Sequence, residues 1–302
     1  MKKQKKFNEF VQHMIDCQSL GNTNKAKALQ QLQDLYEEIS KLLTKTSYIY
    51  TKKTYKSLLE QVEVLIGRYK RKSYRLMESS IQESVNYQTE WNKDFFKSIG
   101  KTIVIPTTIL AGVKFSPVAQ TVGYNELVDN TVYKIRQSIN NSMKVAYLTK
   151  ENLNSVTERF NKRITSVEKE VESNIKNVET NTISTVDYLV YKANDIKSVY
   201  CSILDVGTCL ECGMLNGKVY TPDTAPLLPQ HFNCRCFLVP QDIVEEMPES
   251  YGNWFDSLDE EDKLAAVGPS RYRLYQAGVP VTKFTDNQNK TIPVKDITKN
   301  NI

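Results

Sequence analysis

The 302-residue chain contains only two histidines, and it has no hydrophobic run long enough to cross a bilayer. Its longest apolar stretch, residues 103–113, is interrupted by Pro106 and by threonines, so no membrane anchor is expected. The opening residues M-K-K-Q-K-K-F are not followed by an apolar signal segment, so export to an oxidising compartment is not expected. We therefore expect the cysteines to be reduced or metal-bound rather than joined in disulfides.

The shortage of histidine also argues against two kinds of metal-dependent enzyme. A zinc deaminase needs an H-x-E or C-x-E segment ahead of P-C-x-x-C, but Thr208 precedes Cys209 and no glutamate follows a His or Cys at the required place. A zinc-knuckle nuclease needs further histidines, and only His13 remains if His231 is a structural ligand. His13 lies outside the apolar stripe of the first predicted helix, so we expect it to be exposed. We predict that the protein is not an enzyme.

Four of the six cysteines and one of the two histidines lie close together, within residues 205–240. Cys209 and Cys212 form a C-x-x-C pair, and H-x-x-C-x-C follows after an 18-residue gap. This is the spacing of metal ligands. A C-x-x-C turn directs two thiolates at one point, and Gly213 is expected to supply the flexible residue of such a turn.

We predict a structural zinc ion held by Cys209, Cys212, His231 and Cys234, with four protein ligands and no open position. In an extended segment Cys236 would point to the face opposite Cys234, but it could replace His231 or Cys234 if the turn differs, so it is the alternate ligand. The other interpretation is a set of buried, reduced cysteines without a metal. Zinc would fold a segment that is too rich in Pro, Gly and Thr to build an apolar core.

Apolar residues at helical spacing predict a mainly α fold, with helical N-terminal lobes followed by a small α+β cysteine/histidine module. Helical regions are predicted over residues 1–98 and 125–197, joined by a loop or hairpin at 99–124. The module spans residues 198–240, with strands at 198–204 and 237–239 and a type I′ hairpin turn at Asn216-Gly217. Residues 241–302 are predicted as a tail with short helices that end at Gly268 and Gly278.

Charge is distributed unevenly along the chain, which has a formal net charge of +5. Residues 41–75 contain ten basic residues and only two acidic ones. This segment is a candidate surface for DNA phosphates or an acidic partner. The candidate residues are Lys52, Lys53, Lys56, Arg68, Lys70, Arg71, Lys72 and Arg75. The alternative is a solvated helix face whose tyrosines pack inward.

Four pieces of the chain carry a resemblance to a known family. They are V-E-T-N-T-I at 178–183, L-D-V-G-T-C-L-E-C-G-M-L-N-G-K-V-Y at 204–220, L-P-Q-H-F-N-C-R-C at 228–236, and W-F-D-S-L at 254–258 with V-G-P-S-R-Y-R-L-Y-Q-A-G at 267–278. In order and spacing they resemble the phage minor head proteins, also called phage Mu F-like head morphogenesis proteins. Phe232 stands where that family usually has proline, and the arginine that often precedes the first piece is absent.

The resemblance implies a minor capsid protein of a tailed phage, a low-copy virion component that joins the portal vertex during procapsid assembly and can leave with the DNA. The implied partners are the portal protein and capsid or scaffolding proteins, with DNA as a further candidate. The implied locations are the host cytoplasm during assembly and then the virion. The alternative is an intracellular DNA-binding accessory protein with a structural zinc module.

Overall fold

The computed structural model describes residues 2–46, 48–49 and 51–297, and this part of the chain is mainly helical, as predicted. The long helices are α1 (Lys2–Leu20), α2 (Asn22–Thr46), α3 (Lys52–Ser98), α5 (Tyr124–Thr149) and α6 (Leu153–Ala193). The shorter helices are α4 (Ile109–Phe115), α7 (Leu210–Leu215), α8 (Tyr251–Ser257), α9 (Glu260–Gln276) and α10 (Val294–Ile297). The strands are β1 (Ser198–Cys201), β2 (Val219–Tyr220) and β3 (Phe237–Pro240). None of the described helices is both long and apolar enough to cross a membrane.

Residues 16–90 and 108–183 form one compact unit. Its helices bury apolar residues at steps of three and four, such as Leu32, Tyr36, Ile39 and Leu43 on α2. Tyr36 stacks on Phe160 of α6, with ring centroids 3.9 Å apart. The periodic apolar stripe seen in the sequence is therefore the stripe that forms this core.

The same unit buries a polar cluster around Glu179 of α6, whose residue is only 4% exposed. Ser80 Oγ donates a hydrogen bond to Glu179 Oε1 at 3.1 Å, and Asn24 Nδ2 donates to the same oxygen at 3.4 Å. A Cβ atom at Gly21 would lie 1.7 Å from Glu179 Oε2, so this carboxylate requires glycine at the turn between α1 and α2. Burial raises the pKa of Glu179.

The described residues of 1–15, 91–107 and 184–302 form the other compact unit, and helices α1, α3 and α6 contribute residues to both units. This unit contains an antiparallel sheet with the strand order β2-β1-β3. Val199 of β1 is paired with Val219 on one side and with Val239 on the other. The predicted return of a strand at 237–239 beside the first strand is confirmed.

The same unit contains a hydrophobic cluster formed by residues of α7 to α10 and of the segment between α9 and α10. It consists of Leu210, Tyr251, Phe255, Val267, Val281, Phe284 and Ile297, all buried. The predicted break at Gly268 is confirmed, because this residue has φ 75° and interrupts the helical geometry of α9. The chain also takes positive φ at Gly278, two residues beyond the end of α9. Both positions use the left-handed conformation that glycine adopts without strain.

Two predictions, for His13 and for residues 99–124, differ from the structure. His13 was expected to be exposed, but it is 6% exposed and stacks on Trp91 of α3, with ring centroids 3.6 Å apart. An imidazole outside an aliphatic stripe can still be buried when a flat aromatic ring covers it. The segment 99–124 contains helix α4 and an isolated Val118–Val122 bridge instead of a loop or regular hairpin. The other domain limits along the chain stay predictions.

Candidate metal centre and basic surface

Helix α7 positions the two cysteines of the C-x-x-C pair. Cys209 is the N-cap residue of α7, with extended backbone at φ −68° and ψ 152°, and its sulfur accepts a hydrogen bond from the Cys212 N–H. The Cys209 carbonyl accepts from the Gly213 N–H at 2.9 Å. This single helical turn places the sulfurs of Cys209 and Cys212 at 3.2 Å and 3.3 Å from His231 Nε2.

Gly213 has a different role from the one predicted. It lies inside α7 and is buried, so it does not act as a flexible turn residue. A Cβ atom at this position would lie 2.1 Å from Cδ2 of Tyr251. Glycine is therefore required because the Tyr251 ring packs directly on the α7 backbone.

The turn at Asn216-Gly217 is also of a different type from the predicted type I′ hairpin. Asn216 has φ −55° and ψ 130°, and Gly217 has φ 79°, which are the angles of a type II turn. The Lys218 N–H closes the turn on the Leu215 carbonyl at 3.0 Å. The prediction was wrong because the segment before the turn is helix α7 rather than a strand, so strand twist does not select a type I′ turn.

The ring of His231 is oriented by its own neighbour. Its Nδ1–H donates to the Phe232 carbonyl at 2.9 Å, and its Nε2 faces the sulfurs of Cys209 and Cys212. Asn233 adopts the left-handed conformation at φ 61°, and the Cys234 N–H bonds to the His231 carbonyl at 3.1 Å. This turn brings Cys234 Sγ to 3.8 Å from Cys212 Sγ.

The five donor atoms fall into two overlapping groups of three, and in each group all atoms lie within 4.8 Å of one another. One group is Cys209, Cys212 and His231, and the other is Cys212, Cys234 and Cys236. In a tetrahedral site with metal–sulfur bonds of about 2.3 Å, two ligand sulfurs lie about 3.8 Å apart. These groups could therefore hold a metal ion, and Cys212 belongs to both.

Cys236 Sγ lies within 4.8 Å of Cys234 Sγ, so the two cysteines do not point to opposite faces as they would in an extended segment. Alternation of side chains applies only within a strand, and β3 begins at Phe237, after Cys236. Ser202 Oγ lies 3.5 Å from Cys236 Sγ. The structure thus brings together all four predicted ligands and the alternate one, and the choice among them stays a prediction.

Hydrogen bonds within the cluster lower the pKa of two cysteines and raise the pKa of the histidine. Hydrogen bonds from Cys212 and then from His231 lower the pKa of Cys209, while hydrogen bonding with Cys209 raises the pKa of His231. Hydrogen bonding with Cys212 likewise lowers the pKa of Cys234. Because the thiolate is the form of cysteine that binds metals, the cluster favours ligand-ready sulfurs at Cys209 and Cys234.

Sequence reasoning missed an ion pair that joins the two halves of the cluster. Arg235 Nη1 and Nη2 donate to Asp205 Oδ2 and Oδ1, each at 2.5 Å. Asp205 Oδ1 also accepts from the Gly207 N–H at 2.9 Å, and Thr208 Oγ1 accepts from the Asp205 N–H at 3.1 Å. An aspartate three residues before a threonine is typical of such side-chain turns, and D-V-G-T was the available signal.

The predicted basic residues lie on α3, and the structure separates them into two groups. Arg68 pairs with Glu38 at 3.1 Å, and Lys70 pairs with Asp129 at 2.6 Å, so acidic neighbours offset these charges. Lys52, Lys53, Lys56, Arg71, Lys72 and Arg75 are exposed. Tyr69 packs inward as the alternative interpretation expected, but Tyr48 is 38% exposed. Tyr50 lies outside the described residues.

No model of a protein family, no curated protein and no solved structure matches this chain.

Proposed function

We propose that this chain is a minor capsid protein of a tailed phage, with a structural role in procapsid assembly at the portal vertex. The observation that carries the proposal is the arrangement of the pieces that resemble the phage Mu F-like family. Three of them are separated in sequence but contact one another around the cysteine cluster.

Specific contacts join these three pieces. Asp205, from the piece at 204–220, pairs with Arg235, from the piece at 228–236. Leu210 shares a buried core with Phe255 and Val267, from the pieces at 254–258 and 267–278. These contacts support the proposal, because they make the three resembling pieces parts of one packed structure. The first piece, at 178–183, lies on α6 and includes the buried Glu179.

We infer further that the ion held by the cluster is zinc and that it is structural. Cysteine and histidine donors without carboxylates are the usual ligands of structural zinc, and five protein donors leave no position for a substrate water. When bound, zinc would tie the start of α7 to the turn at His231–Cys234, next to the three-stranded sheet. The metal then contributes folding free energy rather than catalysis.

The proposed role can be tested in a phage whose genome carries this chain. Quantitative mass spectrometry of purified particles and procapsids should detect the protein at a few copies per capsid. Cross-linking of the same particles should then join it to the portal protein. Complete absence from both particles and procapsids would overturn the proposal and favour the intracellular DNA-binding alternative.

A further inference from the structure

The turn between α2 and α3 lies beside the turn between α5 and α6. Tyr48 and Asn152 form an antiparallel backbone bridge, and the neighbouring Ile49 and Leu153 are both buried. Tyr55 of α3 stacks on Tyr147 of α5, with ring centroids 4.9 Å apart. The α2–α3 connection and the α5–α6 connection, although far apart in sequence, therefore lie side by side.

These joined ends, which we call the basic end, consist of residues 41–46, 51–56 and 144–163. They contain ten basic residues and two acidic ones, a formal net charge of +8, whereas the whole chain carries only +5. The lysines and arginines of 144–163 were not among the residues predicted from sequence. They join the surface only because the bridge brings the second turn to the first.

Few of these charges are neutralised by neighbours. Lys41 pairs with Glu37 at 3.1 Å, and Arg159 pairs with Glu151 at 2.6 Å. The exposed residues Lys45, Lys52, Lys53, Lys56, Lys144 and Lys162 have no acidic partner within 4.0 Å among the residues that the structure describes. An excess of exposed, unneutralised cations in one place creates a positive potential that attracts anions.

The placement of two of these lysines also opposes helix stability. Lys52 and Lys53 lie in the first turn of α3, which contains no acidic residue. The helix dipole makes cations unfavourable at this end of a helix. An anion bound at the basic end would remove this local repulsion.

We propose that the basic end binds the phosphate backbone of duplex nucleic acid. Eight of its ten basic residues are lysines, a residue that is depleted in protein–protein interfaces but serves phosphate contacts well. Lysine meets phosphates as a point charge and lacks the planar fork with which arginine pairs with guanine, so binding should be independent of sequence. The inference does not rest on the phage assignment, because purified protein is sufficient to test it.

The experiment measures the affinity of the full chain for a DNA duplex of about 30 base pairs, by fluorescence anisotropy, between about 50 and 200 mM salt. Each phosphate contact contributes about 0.9 to the slope of log affinity against log salt. Changing Lys52, Lys53 and Lys56 together to glutamine should reduce this slope by about 2 to 3. The triple change at Lys144, Lys162 and Arg163 should have a similar effect.

The matched control changes the exposed Lys2, Lys3 and Lys5 of α1 to glutamine. It also removes three positive charges, but these residues are not part of the basic end. Its slope should equal that of the unchanged protein. An RNA duplex of equal length should bind with a similar slope, since the phosphate chemistry is shared. The proposal is overturned if duplexes do not bind at low salt, if the control lowers the slope as much as the other variants, or if polyglutamate binds more tightly than DNA.

Discussion

Arg235 holds Asp205 through two parallel hydrogen bonds, each 2.5 Å long, although 29 residues separate them in the chain. Asp205 lies just ahead of the C-x-x-C pair, and Arg235 lies between Cys234 and Cys236. The pair therefore links the two segments that must meet for a metal ion to be held. Hydrogen bonding to Arg235 lowers the pKa of Asp205, so the pair is ionised at neutral pH.

We expect Arg235→Lys to weaken metal binding by about tenfold, because lysine keeps the charge but cannot form both bonds. Competition with a chromophoric zinc chelator would measure the affinity. Lys290→Gln is the control, since it removes another ion pair of the same region, with Glu211. Equal affinities of the Arg235 variant and the control would show that the pair does not position the ligands.

Cys212→Ser should abolish metal binding, because Cys212 belongs to both groups of donor atoms. Elemental analysis of the purified protein should find about one zinc per chain before the change and none after it. Cys201→Ser is the control, since Cys201 is buried but belongs to neither group. Zinc retained by the Cys212 variant would contradict the ligand assignment.

Variants of Cys209 and Cys236 distinguish the candidate ligand sets. If Cys209, Cys212, His231 and Cys234 bind the ion, Cys209→Ser should lose zinc and Cys236→Ser should keep it. Loss of zinc from both variants would identify Cys236 as a ligand in place of His231 or Cys234. Chelation of zinc from the unchanged protein should also lower its melting temperature, which differential scanning calorimetry would detect.

Gly213→Ala should destabilise the protein by about 1 to 3 kcal/mol, because the added methyl group meets the Tyr251 ring. Gly67→Ala is a matched helical control, since its methyl group would have only an ordinary contact with Arg71 at 3.7 Å. That control should gain up to about 1 kcal/mol of helix stability. Urea denaturation measures both changes, and a stable Gly213 variant would disprove the packing role of Tyr251.

Glu179→Gln should raise stability at neutral pH by an amount on the order of 1 kcal/mol, because glutamine needs no buried charge. The pKa of Glu179 is raised in the folded state, so the folded protein holds the proton more tightly than the unfolded chain. Its contribution to stability is therefore largest at low pH and declines as the pH rises through the folded pKa.

The variant should accordingly lose this part of the pH dependence. Melting temperatures between about pH 4 and pH 8 would reveal it as a gap between variant and unchanged protein that widens with pH. Glu60→Gln, at an exposed position of α3, should show no such gap. A gap that is constant across the pH range would mean that Glu179 does not change its protonation there.

Much of this architecture follows from local pattern, because helical periodicity and ligand spacing are encoded within a few turns of chain. The helices and the meeting of Cys209, Cys212, His231 and Cys234 were predicted in this way. The failures needed information from distant residues. Burial of His13 depends on Trp91, the turn at Asn216 depends on α7 preceding it, and the basic end depends on the bridge between Tyr48 and Asn152.

The donor atoms of the cluster differ in their access to solvent. Cys212, Cys234 and Cys236 are buried, Cys209 is half-buried, and His231 is exposed. A metal ion would therefore arrive and depart on the side of His231, and this imidazole would be the last ligand to bind and the first to dissociate. We expect metal exchange to proceed by this stepwise route, without unfolding of the three-stranded sheet.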